Sequence, residues 1–272
     1  MGELADDMVE LVLDADPLFA TLLGVGGRDD RLRDVSEAGE AAMRARAVEI
    51  RDRARAADQD DLTVAVVLHQ ADGLVDRIDA KLVEHTYSES FTAPVTGLLG
   101  SLPLVRPTTG AAQRDYLTRL AAIPELLAQV ADRNRAGIAA GRLPLAHLVR
   151  SAVGRVDRYL AEPDTDPLKS VPLADELLAE RDRLLADTVR PAFAAYREFV
   201  VAEVEPHGRP ADRPGLCHLP GGDVAYANLV RVFTTTDRTA EELHRTGLDL
   251  IARLSDEYAA LGYPTLAAVR ER

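Results

Sequence analysis

An all-α chain built as a multi-helix array is the fold class this sequence predicts, on three observations. Apolar residues recur at three- and four-residue intervals over long stretches, which lines one face of a helix. Runs of alternating apolar and polar residues long enough for strands are nearly absent. Aromatic residues make up 4% of the chain, with no tryptophan, so a core must be built from leucine, valine and alanine, which suits helix packing.

In chain order, "MGELADDMVELVLDADP" reads as an acidic amphipathic helix, and "LLGVGGRDDRLRD" closes it with glycines and opens a loop. The "GVGG" at 24–27 ends a helix instead of following a strand, so it reads as a helix cap and not as a dinucleotide turn. Val64, Leu68, Ala71, Val75, Ile78 and Leu82 share one helical face. The stretch 85–110 is rich in Pro, Gly, Ser and Thr and reads as a long loop with room for a short helix over 96–102; loops of this length are often functional. A second break falls at 161–172. Leu185, Val189, Phe193, Tyr196, Val200 and Val204 form another face, with Pro191 inside it. Proline cannot donate to the carbonyl of Asp187, which predicts a kink there. Leu243, Gly247, Leu250, Leu254, Tyr258 and Leu261 form the last face, and a further helix is expected from about Pro264.

The 272 residues, 47% of them hydrophobic, can bury a substantial core. No internal repeat and no polar linker divides them, so 1–272 reads as a single helical region. The net charge is −13 with no basic stripe, which argues against a nucleic-acid partner. Cys217 is the one cysteine, so neither a disulfide framework nor a cysteine-based zinc site can be assembled. The N-terminal stretch lacks the basic and apolar regions of a secretion signal, Asp6 spoils a myristoylation motif, and no apolar run approaches the roughly 20 residues that span a bilayer. A cytoplasmic protein without membrane contact is the expectation.

Familiar catalytic motifs are missing. None of the six histidines begins the H-E-x-x-H of a zinc helix, and there is no G-x-S-x-G elbow or Walker loop. Three weaker constellations remain. Glu241 and His244 have the Glu-x-x-His spacing of di-iron bundles, but that site needs the pair twice, so an exposed helix face is the simpler reading. His69 and Asp72 stand one turn apart, as a hydrogen-bonded structural pair would. Cys217 and His218 suggest a nucleophile and base, but neighbours in an extended stretch point to opposite sides.

The densest local instruction is "RPGLCHLPGGDVAYANLVRVFTTTDRTAEELH" (213–244). Thr239 and Glu242 form a capping box, and Asp237 adds charge near the positive helix end. Gly221 and Gly222 allow backbone angles closed to other residues, or close approach of a neighbour. A helix over about 223–233 stops at Thr234, Thr235 and Thr236, whose hydroxyls and β-branching favour a break.

This stretch resembles the bacterial family known as domain of unknown function 885, through Gly215-Leu216, Leu219-Pro220-Gly221-Gly222, Tyr226, Leu229, Thr234-Thr235-Thr236, Thr239, Glu241-Glu242-Leu243-His244 and Gly247. "DADPLFATLLGV" (14–25), "RLRDVS" (31–36) and "RPAFAAYREFV" (190–200) are similar to further phrases of the family, so the resemblance runs through essentially the whole chain. It implies a helical fold like that of the neurolysin-type zinc peptidases and a metallopeptidase activity on peptide substrates. It also implies a zinc cofactor, on an H-E-x-x-P-G-H helix that lies beyond this sequence, since family members run to about twice its length. No residue here matches that helix, so no catalytic residue and no metal ligand is assigned.

The chain is thus expected to be the N-terminal half of a longer domain, with its catalytic, C-terminal half as the missing partner. Alone it is expected to be inactive, and to leave Leu243, Leu250, Leu254, Tyr258 and Leu261 exposed. Gly221, Gly222 and Tyr226 are the candidates for a substrate-cleft wall; a buried helix–loop–helix joint would need the same glycines and caps. Two other readings stand beside this one: a helical binding or scaffold protein without activity, and an unrelated helical enzyme using Glu241 and His244 around a metal.

Overall fold

The computed structural model describes residues 2–58, 60–89 and 93–262. These form helices and connecting turns; the one β-type contact among them is an isolated bridge between Leu145 and Arg209. The fold class is all-α.

The chain opens with α1 (Gly2–Ala15) and α2 (Pro17–Leu22). The sequence reads as one helix here, but the structure divides it at Asp16. The Asp16 carboxylate accepts from Phe19 N at 2.9 Å, and Pro17 occupies the first helical position, where its missing N–H is no loss. Helices α3 (Glu37–Arg55) and α4 (Leu62–Asp79) then form an antiparallel pair against α1. Met8, Leu11, Ala47, Ile50, Val64, Ala71, Val75 and Ile78 close a small core between them. The α4 face stops short of its predicted end, because Leu82 belongs to a separate 3-10 turn, Leu82–Glu84.

The larger core lies beyond that turn. It is enclosed by α5 (Leu98–Ser101), α6 (Gly110–Ala121), α7 (Ile123–Ala139), α8 (Ala146–Ala161), α9 (Asp175–Leu184) and α10 (Arg190–Phe199). The short helix expected in the long loop is present as α5 and the 3-10 turn Leu102–Leu104 after it. Leu185, Val189, Phe193, Tyr196, Val200 and Val204 are all buried, as their spacing predicts.

Pro191 is accommodated by a widened turn. Residues Leu185–Val189 form a π turn, and Arg190 N reaches back five residues to Leu185 O. The extra residue supplies the space that the proline ring and its missing donor require. The same arrangement recurs at Val200–Val204, where Glu205 N bonds Val200 O just ahead of Pro206.

Buried charge fastens the two cores together. Arg133 on α7 is 4% exposed and reaches Glu40 of α3, Glu84 at 3.0 Å and the Val35 carbonyl at 3.2 Å. Arg142 closes on the other side of Glu84 at 2.5 Å. Next to Arg133, Asn134 donates to the Val83 and Glu84 carbonyls and accepts from the Tyr87 hydroxyl at 2.6 Å. Arg119 is fully buried and donates to the carbonyls of Arg28 and Arg31 and to the Thr21 hydroxyl, which pins the glycine loop after α2.

The last two helices are α11 (Gly222–Thr234) and α12 (Ala240–Ala260). Helix α11 packs on α4; among the described residues no helix packs comparably along α12. Leu250, Leu254, Tyr258 and Leu261 are exposed as expected, and Leu243 is half-buried. The helix expected from Pro264 lies outside the described residues.

Helix α12 holds its start through its own cap. Glu242 N donates to Thr239 Oγ1 at 3.2 Å, and Thr239 N donates to Glu242 Oε2 at 2.8 Å, so the predicted capping box is complete. The amide holds the Glu242 carboxyl below its ordinary range. Thr239→Ala is expected to cost about 1 kcal/mol of local helix stability. Amide exchange should read this as roughly fivefold faster exchange in the first turn of α12, with the cores unchanged.

Candidate functional site

The dense stretch of sequence becomes a loop, a turn and two helices around an open cleft. Its entry is fixed on α8. Arg209 N donates to the Pro144 carbonyl at 2.7 Å and Ala146 N to the Arg209 carbonyl at 2.9 Å. A Cβ on Gly208 would come within 2.7 Å of Ala146 Cα, so only glycine allows this approach. The Arg209 side chain, 8% exposed, donates to the carbonyls of Leu143, Arg213 and Gly215. Burial lowers its pKa from the usual arginine value.

The 3-10 turn Leu216–His218 follows. Gly221 takes the left-handed conformation, φ +70°, at the start of α11. Gly222 meets the turn so closely that a Cβ would lie 1.6 Å from the Leu216 carbonyl oxygen.

The other side of α11 lies on α4. His69 Nε2 is 3.2 Å from the Val232 carbonyl, Arg231 pairs with Asp76 at 2.7 Å, and Gly73 leaves room for the Val232 side chain. His69 therefore does not make the expected pair with Asp72, which instead bonds Arg55 at 3.3 Å. One helical turn separates His69 and Asp72 in sequence, but α11 and α3 supply nearer partners.

Helix α11 ends at Thr235, held in the left-handed region at φ +54°, a strained place for a β-branched residue. Thr235 N bonds Arg231 O at 2.9 Å, while the Thr234 hydroxyl bonds Val230 O and lies 3.0 Å from that of Thr236. This turn redirects the chain into α12.

Between the 3-10 turn, α11 and the start of α12 lies a cleft of about 640 Å³. It is lined by Gly215–Cys217 before α11, by Tyr226, Ala227 and Val230 on α11, and by Thr236–Ala240 after it. Asp223, Arg231, Asp237 and Arg238 bring charge of both signs to it. The volume falls in the range of small-ligand clefts. Most of its exposed lining is apolar, interrupted by hydroxyls and by charges of both signs.

Of the three wall candidates, Tyr226 lines this cleft and is 49% exposed. Gly221 and Gly222 do not line it; they set how α11 leaves the turn. Cys217 faces the cleft from a 3-10 turn, not from the extended stretch expected, and His218 is not among the lining residues. Glu241 pairs with Arg245 at 3.2 Å on the exposed face of α12. Sequence reasoning missed the Arg209 clasp and the contribution of Arg231 and Arg238. "HGRP" at 207–210 shows a glycine beside an arginine, but nothing local says that they meet α8.

A resident zinc needs at least three protein ligands. Among the described residues no group of three His, Cys, Asp or Glu side chains converges, so these residues do not fit the metal the family resemblance implies. Nor is any described helix long and apolar enough to cross a membrane.

Fold and cleft together define an all-helical protein with a surface cleft built from its segment 215–240. The chain belongs to the bacterial family described as "Bacterial protein of unknown function (DUF885)", which matches residues 17–267. Among solved structures it is similar to "the putative lipoprotein from Colwellia psychrerythraea", with a TM-score of 0.79 at 18% identity over 97% of this chain. That match covers 52% of the solved chain, so this chain spans about half the length of the structure it resembles. No curated protein matches it by sequence.

Proposed function

We propose that this chain is the cleft-bearing, N-terminal part of a helical metallopeptidase-like protein, whose zinc-binding helix belongs to a part outside this sequence. The observation that carries the reading is the cleft itself: it is lined by the segment where the family pattern is most specific, and it offers backbone, Tyr226 and paired charges to an extended peptide. The length of the solved relative supports it. The role of this part is to hold substrate; bond cleavage belongs to the part that carries zinc.

The test compares two proteins. The 272-residue chain is expected to hydrolyse no peptide and to hold no stoichiometric metal. A longer form carrying an H-E-x-x-P-G-H helix is expected to bind about one zinc per molecule and to cleave peptides in a chelator-sensitive way. In that longer form, Tyr226→Ala should raise KM about tenfold, roughly 1.4 kcal/mol of binding, with kcat changed less. Stoichiometric zinc and chelator-sensitive hydrolysis by the 272-residue chain alone would sink the proposal, as would an unaltered KM in the Tyr226 variant.

A further inference from the structure

The phrase "RLRDVS" (31–36) takes no part in the cleft beside α11. It belongs to the loop between α2 and α3, and its backbone is tied down on the side of the large core. Arg119 donates to the Arg28 carbonyl at 2.8 Å and to the Arg31 carbonyl at 2.9 Å. Val35 N donates to Gln129 Oε1 at 3.1 Å, and the Val35 carbonyl accepts from Arg133 at 3.2 Å. Between these fixed points the side chains of Arg31 and Arg33 are exposed.

Beside this loop lies a crevice of about 310 Å³, bounded by α1, α3 and α4. Its volume enters the range of small-ligand sites, about 300–1,000 Å³, which gather where packed units meet. The apolar lining comes from both cores. Leu74, Ile78 and half-buried Met43 belong to the small core, while Leu32 packs on the large one. Three carboxylates and three guanidiniums complete the lining, and the carboxylates are already engaged. Asp14 pairs with Arg28 at 2.7 Å and with Arg46 at 2.9 Å. Glu40 is held by Arg133. Asp34 accepts from Ser36 N at 2.9 Å and lies against Gly39 in the positive first turn of α3, where any side chain on the glycine would overlap it. Arg31 and Arg33 are left over. Arg31 donates to the Gly27 carbonyl at 2.8 Å and comes only within 3.7 Å of Asp30. Arg33 makes no hydrogen bond or ion pair with any described residue.

Two unmatched guanidiniums beside an apolar wall suit a molecule with an apolar body and an anionic oxygen head, since the arginine fork matches carboxylate and phosphate alike. The net charge of −13 opposes an anion only at long range, and physiological salt screens it beyond about 8 Å. The same arginines also line a crevice against α6 and α7, but that one measures about 220 Å³, below the small-ligand range, and holds Glu125.

We propose that the crevice between the two cores is a second binding site, for a small amphipathic anion whose head is held by Arg31 and Arg33 and whose apolar part lies on Met43, Leu74 and Ile78. It shares no residue with the cleft beside α11, so it stands or falls separately from the peptide reading.

The experiment titrates the whole native protein with octanoate, octyl phosphate, octanol and inorganic phosphate. Calorimetry gives the affinities, and the methyl resonance of Met43, assigned through Met43→Leu, reports the place. Octanoate or octyl phosphate is expected to bind saturably at one site and to shift the Met43 signal, and the tighter of the two identifies the head group. Octanol and inorganic phosphate should each bind at least tenfold more weakly, because one lacks the charge and the other the apolar body. Arg33→Gln and Arg31→Gln should each weaken binding about tenfold. Arg33→Gln should keep the wild-type melting temperature, because Arg33 has no partner to lose. Arg150→Gln, an exposed arginine on α8 away from the crevice, should leave the affinity unchanged. Absence of saturable binding by both amphipathic anions overturns the proposal. So does binding that leaves the Met43 signal in place, that survives Arg33→Gln and Arg31→Gln undiminished, or that octanol or inorganic phosphate matches.

Discussion

Replacing Arg133 by methionine is expected to destabilise the protein by about 3–5 kcal/mol, the range for removing one partner of a buried ion pair. Arg133 is 4% exposed and joins three segments: Glu40 on α3, Glu84 after α4, and the Val35 carbonyl in the loop between α2 and α3. Methionine fills similar volume but leaves the Glu40 carboxylate, 15% exposed, without a partner. Glu84 keeps Arg142 and suffers less. Adding Glu40→Gln to Arg133→Met should therefore recover part of the loss, because an unpaired amide costs less to bury than an unpaired charge. Denaturant midpoints of the two variants and the wild type check this. A single variant within about 1 kcal/mol of wild type would show that the network contributes no more than a surface pair.

Gly222→Ala is expected to disrupt the joint between the 3-10 turn and α11. The added carbon would stand 1.6 Å from the Leu216 carbonyl oxygen and 2.5 Å from its carbon. Both obstacles are backbone, so no side-chain rotation relieves them and α11 must shift. The cost falls at the upper end of overpacking, about 3 kcal/mol. For a chain of this size that corresponds to a melting temperature lower by about 10 °C if unfolding is cooperative. Cys217, in the same turn, should then be alkylated faster. Gly221→Asn is the contrast. Gly221 needs its left-handed angle, but a Cβ added there would meet no atom within 4 Å, and asparagine visits that conformation readily, so its cost should stay below about 1 kcal/mol. Equal melting and equal Cys217 reactivity in the two variants would refute a tight joint at Gly222.

Local signals in the sequence carried the helices, and tertiary contacts decided what it could not show. The buried face from Leu185 to Val204 and the Thr239 box were legible because both depend on residues within a few positions of each other. The division at Asp16 was legible in principle, since Asp-Pro is a helix start, but the strong periodicity on either side concealed it. Pro191 shows a subtler limit. Sequence says that one donor is missing, and it does not say whether the helix answers by bending or by widening. The Val232 partner of His69 and the Leu143 partner of Arg209 were illegible because each is a carbonyl far away in the chain. In the cleft, Tyr226 could be found from its pattern, whereas the convergence of Arg231, Arg238 and Gly215–Cys217 depends on the angle set by Gly222.

The paired π turns bear on how this chain can change length. Each holds one residue more than an α-helix would need between the same flanking faces. Losing one residue from Leu185–Val189 would keep the faces on both sides in place, provided that Pro191 changes too, because its ring depends on the widened turn. Losing one from Arg190–Phe199 would instead rotate everything after it by about 100°, turning Val200 and Val204 out of the core. Natural length variation in this long helix should accordingly gather at the two π turns and travel with the proline that follows each of them.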